Sequence, residues 1–243
     1  ETSHNLVYNI MKALWSSEAA DDMKALIGMD VEGQLVAGIA SEVNLEVDRE
    51  MIGDMWRCNT DNVETFDCTV PPDITQVDHF RGILTQFDKI SQEINRRTKR
   101  GPGNWIICGT NVATVIGALD TKSSFKSVFA PAEPAPGVGT TGRPAFPLPG
   151  GQTGYGIYQL GVLQNRWTVY VDPFFPRNSA LIGLKGTTFL DSGMVYAPYV
   201  PLQVTSTFLD PGNFQARKGI RRRYAKKMVN TNFYGKLTIS NAP

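Results

Sequence analysis

The stretch from Asp30 to Arg57, DVEGQLVAGIASEVNLEVDREMIGDMWR, decides how the rest of the chain is read. Apolar residues recur every four positions at Val31, Leu35, Ile39, Val43, Val47, Met51 and Met55, the spacing of one face of a helix. Asp30 suits the N-cap, and Glu32 sits where the helix dipole favours negative charge. A helix over 30–57 is a rod of about 40 Å at 1.5 Å per residue. That is long for a domain drawn from 243 residues.

Upstream, Ser17 is placed to cap a short helix through Ile27, with Gly28 as its left-handed stop. Downstream, Asn59 to Pro72 breaks into polar residues and a Pro-Pro stop, the mark of a connection between domains. A further helix follows, with Phe80, Ile83, Leu84, Phe87, Ile90 and Ile94 on one stripe. Arg96, Arg97, Lys99 and Arg100 gather at its negative end, before Gly101 and Pro102. Trp105–Cys108 reads as a strand and Asn111–Leu119 as a short helix. Residues 131–151 are crowded with Pro and Gly, which predicts a loop. Beyond it, Tyr158–Leu163, Trp167–Val171, Ala180–Leu184, Met194–Tyr196 and Leu202–Leu209 read as strands. The fold class is α+β.

The formal net charge of +1 conceals an asymmetry. Acids dominate from Glu18 to Asp54. After Asp210 no acid occurs, whereas Arg217, Lys218, Arg221, Arg222, Arg223, Lys226, Lys227 and Lys236 all do. Such a strip suits either the phosphates of nucleic acid or the acidic faces of neighbouring subunits, and the residues alone do not choose between them. On the acidic side, Asp21, Asp22, Glu42, Glu46 and Glu50 have the spacing of a solvated helix face and are expected to meet a neighbour's Arg or Lys rather than a substrate.

No catalytic set emerges. His4 and His79 are the only imidazoles, and no nucleophile elbow, zinc motif or P-loop accompanies them. Gly137, Gly139 and Gly142 match the G-x-G-x-x-G spacing. Prolines precede them and Arg143-Pro144 follows, so the strand and helix that a phosphate site requires are missing. Cys58, Cys68 and Cys108 are odd in number and lack C-x-x-C spacing, which predicts reduced thiols and neither a zinc site nor a disulfide framework. No metal, cofactor or catalytic residue is assigned. No apolar run approaches the roughly 20 residues of a membrane helix. The first residues lack the regions of a signal peptide, and Glu1 in place of Met leads us to expect residues upstream.

Several segments, in order, resemble the major capsid proteins of T-even-type myoviruses. They are Gly28-Met29-Asp30 with the acidic helix to Asp48-Arg49-Glu50, Lys99-Arg100-Gly101-Pro102-Gly103-Asn104, and Val169-Tyr170-Val171-Asp172. Gly183-Leu184-Lys185-Gly186, Asp191-Ser192-Gly193, Tyr196-Ala197-Pro198-Tyr199-Val200-Pro201-Leu202, Phe214-Gln215 and Arg223-Tyr224 follow. The resemblance implies a Hong Kong 97-type capsid fold. Residues 1–60, with spine helix 30–57, would form a peripheral domain. Residues 61–196, with a flexible loop at about 121–156, would form an axial domain, and 197–243 would return as peripheral strands. It implies self-assembly into hexameric capsomers of a head enclosing double-stranded DNA, with vertex, decoration, scaffold and maturation-protease partners and no membrane. It also implies location in the virion after assembly in the bacterial cytoplasm. The family's N-terminal arm and extended loop have no evident counterpart here.

Arg221, Arg222, Arg223, Lys226, Lys227, Glu42, Glu46 and Glu50 are therefore the expected intersubunit or DNA-facing contacts. Strand alternation would put Arg221 and Arg223 on one face and Arg222 with Ile220 and Tyr224 on the other. Arg223 is expected to hold an acidic partner and Arg222 to face solvent or DNA. The competing readings are an encapsulin-like compartment, which would hold cargo protein, a nucleic-acid binder that stays small, and a hydrolase that depends on one carboxylate.

Overall fold

The computed structural model of the chain describes residues 5–28, 30–59, 61–119, 125–127, 157–188, 191–213 and 215–241. The predicted loop at 131–151, the glycines Gly137, Gly139 and Gly142, and His4 lie outside them. The chain divides into two compact units, Glu1–Asp54 with Met194–Val229 and Met55–Gly193 with Asn230–Pro243.

The first unit is built on strand β1 (Asn5–Ser16), helix α1 (Ser17–Ile27) and helix α2 (Val31–Cys58), which runs on into the second unit. Its other strands are β8 (Met194–Val204), β9 (Phe208–Leu209) and β10 (Gln215–Met228). Ser16, one residue before the expected cap, accepts from the Ala19 amide, and Gly28 ends α1 in the left-handed region at φ 69°. The rod helix is present over 28 residues. Of the expected stripe Val43 and Val47 are buried, joined by Ile52.

β10 lies between β1 and β8, antiparallel to both, and also pairs with β9. The β1–β10 ladder runs without interruption from Asn5–Lys226 to Ser16–Gln215. β8 joins the expected Met194–Tyr196 to the start of the expected Leu202–Leu209, which breaks after Val204 and resumes as β9. Pro198 and Pro201 lie between those two segments, which an edge strand tolerates because one row of amides has no ladder partner. The mismatch is absorbed by register shifts between β8 and β10 around Arg223.

The second unit contains β2 (Val63–Asp67), α3 (Gln76–Thr98), β3 (Trp105–Cys108), α4 (Thr110–Gly117) and β4 (Phe125–Ser127). β5 (Tyr158–Leu163), β6 (Trp167–Val171), β7 (Ser179–Gly183) and β11 (Tyr234–Ser240) complete its seven-stranded sheet, ordered β2-β11-β7-β3-β6-β5-β4. The expected stripe of α3 is buried in full, from Phe80 to Ile94. It comes so close to β11 that a Cβ on Gly235 would stand 2.1 Å from Ile90 Cγ2. The helix stops at Thr98, earlier than Gly101, because Lys99 turns left-handed and donates its amide to Asn95 O.

The larger sheet departs from two expectations. Residues 59–72 are not merely a connection, since β2 lies within them and pairs parallel with β11. Nor does all of 197–243 return to the first unit, because β11 pairs with β2 and β7 in the larger sheet.

Candidate interaction surfaces

Alternation along β10 sorts its side chains into two sets. Ala216, Ile220 and Tyr224 are buried. The polar members of the same parity reach α2. Lys218 pairs with Glu32, Arg222 Nη1 donates to Asn44 Oδ1 at 2.7 Å, Tyr224 Oη donates to Glu50, and Lys226 holds Glu50 at 2.6 Å together with Asp54. The partners advance together along both elements, so strand and helix run in the same direction. From Glu32 to Asp54 the helix rises about 33 Å and from Lys218 to Lys226 the strand rises about 27 Å, which is why each cation finds a separate acid or amide.

The electrostatics of these pairs follow from where they sit. Burial raises the Tyr224 hydroxyl well above its ordinary value, and the bond to Glu50 with the charges of Glu50 and Glu46 raises it further. Desolvation pulls Lys226 down, but hydrogen bonds to Asp54 and Glu50 override it and the ammonium ends above its usual value. Glu32 is lowered by the hydrogen bonds from Lys218 and Thr207. Arg222 stacks over Tyr196, with its centre 5.5 Å from the ring, and donates to the Tyr196 hydroxyl; its Nε is buried and unpartnered.

The opposite parity of β10 carries Arg217, Arg221, Arg223 and Lys227, all outside the α2 contacts described above. Opposite them on β1 lie Leu14 against Arg217, Lys12 against Gly219 and Ile10 against Arg221. Arg217 reaches Asp210, and Arg221 Nε donates to Gln203 Oε1 at 3.0 Å. Ile10 and Leu14 stay 53% and 57% exposed.

Arg222 shares its parity with Ile220 and Tyr224, as expected, but the role expected of it is corrected. Arg222 is not a solvent-facing charge, because it shares its parity with Ile220 and Tyr224 and is drawn into the packed side. Glu50, Lys226 and Arg222 meet one another's elements within one chain. Glu46 accepts from Asn9 at 3.4 Å, and Glu42 pairs with Arg49 at 3.6 Å. Lys227 is exposed. Lys218, Asn44, Asp54, Tyr196 and Tyr224 were not singled out as contacts, although the parity of Ile220 points to Lys218 and Tyr224.

In the second unit several ionisable groups are tied to their neighbours in the fold. Glu93 is lowered to about 2 by hydrogen bonds from Arg96 and Arg97. His79 Nε2 donates to Asp67 O at 2.8 Å, beside Phe66 and Phe80. Burial pushes the Cys108 thiol up to about 12, which suppresses its thiolate chemistry. All three cysteines are free thiols. Among the described residues no group of three or more His, Cys, Asp or Glu is placed to hold a metal ion. No described helix is long and apolar enough to cross a membrane.

The major capsid protein Gp23 family matches residues 10–242. The chain belongs to that family. Among similar Gp23-type proteins, the major capsid protein of Enterobacteria phage T4 is 33% identical over 230 residues, covering 88% of this chain and 41% of that protein. That of Vibrio phage KVP40 is 30% identical over 228 residues, covering 88% and 41%. The chain thus spans about two fifths of the length of these relatives.

The fold is of the Hong Kong 97 type. The mature capsid of bacteriophage PhiM1 superposes with a TM-score of 0.58 at 11% identity, covering 98% of this chain and 72% of that one. The SrpI encapsulin of Synechococcus elongatus PCC 7942 gives 0.58 at 8%, covering 96% and 73%. Shape alone therefore does not separate phage head from encapsulin, whereas sequence places this Gp23-family chain with the phage proteins.

Proposed function

We propose that this chain is the shell-forming part of a tailed-bacteriophage major capsid protein, which builds hexameric capsomers of a head enclosing double-stranded DNA. The observation that carries the reading is the family match over 10–242 on a fold of the capsid type. The unit containing β1, β8, β10 and most of α2 serves as the peripheral domain, and the unit of the seven-stranded sheet as the axial domain. In such a protein function resides in repeated contacts. Modest interfaces, each made once per subunit, sum to a closed container. Scaffold, maturation protease, vertex and decoration proteins are its expected partners, the bacterial cytoplasm its place of assembly and the virion its final location.

Arg221, Arg223, Lys227, Glu42 and Glu46 remain the residues proposed for contacts between subunits or with DNA. Arg222, Lys226 and Glu50 act mainly by fastening β10 to α2. Expression of the full-length protein with its scaffold, followed by sedimentation and negative-stain microscopy, tests the reading. Closed particles with six-fold capsomers and nuclease-protected DNA after packaging are expected. Particles filled with a cargo protein would assign an encapsulin-like role, and a chain that stays monomeric would overturn shell building altogether.

A further inference from the structure

The sheet face that turns away from α2 joins two properties seldom exposed together. It is cationic, through Lys12 and Arg221, with Arg217 held by Asp210, and it is apolar, through Ile10, Leu14 and Phe208, the last 65% exposed. Lys12, Leu14, Phe208 and Arg217 line a groove of about 430 Å³ on it. Phosphate binding alone gives no reason for the apolar members, since a nucleic-acid backbone asks for charge. A surface with an apolar centre and charged rim is the composition of a protein interface, with Arg stems lying along apolar neighbours.

The complementary surface is on the same chain. α1 exposes Glu18, Asp21 and Asp22, and its Leu26 is 83% exposed. Glu18, Asp22 and Leu26 follow one another at i, i+4 and i+8, so two carboxylates and one apolar side chain form a single stripe with Asp21 beside it. The principal neighbour of α1 among the described elements is β1, the strand that leads into it.

We infer that α1 of one copy docks on the outward β1–β10 face of a second copy, with Leu26 entering the groove beside Leu14 and Phe208 and the carboxylates meeting Lys12 and Arg221. The two surfaces differ, so the contact is heterologous: each copy gives α1 to one neighbour and receives it from another, and the arrangement closes into a ring or continues over a shell. This rests on the proposed role as a shell subunit and adds a particular contact to it.

The test uses the full-length protein in three forms: Asp21→Lys with Asp22→Lys, Lys12→Glu with Arg221→Glu, and all four changes together. Like charges facing each other should raise the concentration needed for half-assembly by at least about tenfold in each of the first two. The quadruple variant, and an equal mixture of the two double variants, should recover assembly, because opposite charges then meet again. An unfolded variant could not be rescued by mixing, so recovery reports the contact itself. Double variants that assemble like the parent, or no recovery in the mixture and the quadruple form, would overturn the contact while leaving shell building intact. Loss of DNA binding with unchanged assembly would assign the face to phosphate and likewise overturn it. A parent protein that stays monomeric would instead refute the shell reading on which the contact depends.

Discussion

The two units hold themselves together by different means. In the second, α3 lays six large apolar side chains on a sheet whose β7 is buried at every position, and ionic groups such as Glu93 stay at the surface. In the first, only Val43, Val47 and Ile52 of the long α2 are buried, and the helix is tied to β10 by charged and polar pairs from Lys218–Glu32 to Lys226–Asp54. A unit whose small core is supplemented by partly exposed pairs has less apolar burial to lose inside than one built on a continuous apolar core.

The largest effect is expected in the second unit. Phe87 is fully buried on α3, so Phe87→Ala should cost about 3–5 kcal/mol and be visible as loss of cooperative unfolding in calorimetry. A smaller penalty is expected in the first unit for Glu50→Ala, which strands the Tyr224 hydroxyl and leaves Lys226 with Asp54 alone. Hydrogen bonds to a charged group in a half-buried setting put that loss at about 1–3 kcal/mol, measured by denaturant titration of the unassembled chain.

Arg222→Ala should follow, costing about 1–2 kcal/mol through Asn44 and Tyr196, whereas Arg221→Ala should stay within about 0.5 kcal/mol in the unassembled chain. Equal effects at 221 and 222 would mean that β10 does not present separate faces.

The smallest effect separates the units by pH. Tyr224 and Lys226 are both raised above their ordinary values of 10.0 and 10.5, so the folded chain holds these protons more tightly than the unfolded chain. Their contribution is whole below about pH 10 and is lost as the pH rises through the folded values. Tyr224→Phe should therefore flatten the alkaline fall in stability above pH 10. An unchanged slope would contradict the raised Tyr224 hydroxyl.

Elements governed by local periodicity were legible in the sequence. The stripe of α3 and the strands Trp105–Cys108, Tyr158–Leu163 and Trp167–Val171 appear with the expected bounds or nearly so, because spacing along a few turns or a few pleats carries the signal. β1 was not legible. Its apolar residues Leu6, Val7, Ile10, Met11, Leu14 and Trp15 repeat every four positions as a helix would, and only the twelve-residue ladder to β10 makes it a strand. The departure of β11 to the larger sheet is likewise a long-range pairing with no local mark.

At the interaction surfaces the alternation of Arg221, Arg222 and Arg223 was readable. Which parity faced the helix was also written there, since Ile220 and Tyr224 are the large apolar members of the Arg222 set. What no local pattern contained was the match between helix rise and strand rise that brings Glu32, Asn44, Glu50 and Asp54 to their partners.

The most direct test of the account is a cryo-electron microscopy map of the assembled full-length particle, resolved to side chains. It should show six-fold capsomers in which Arg222 and Lys226 keep their contacts with α2 of their own chain while Ile10, Leu14 and Phe208 are covered by another copy. Particles in which β10 is released from its own α2, or in which the outward face stands open to solvent or lies against DNA, would contradict it.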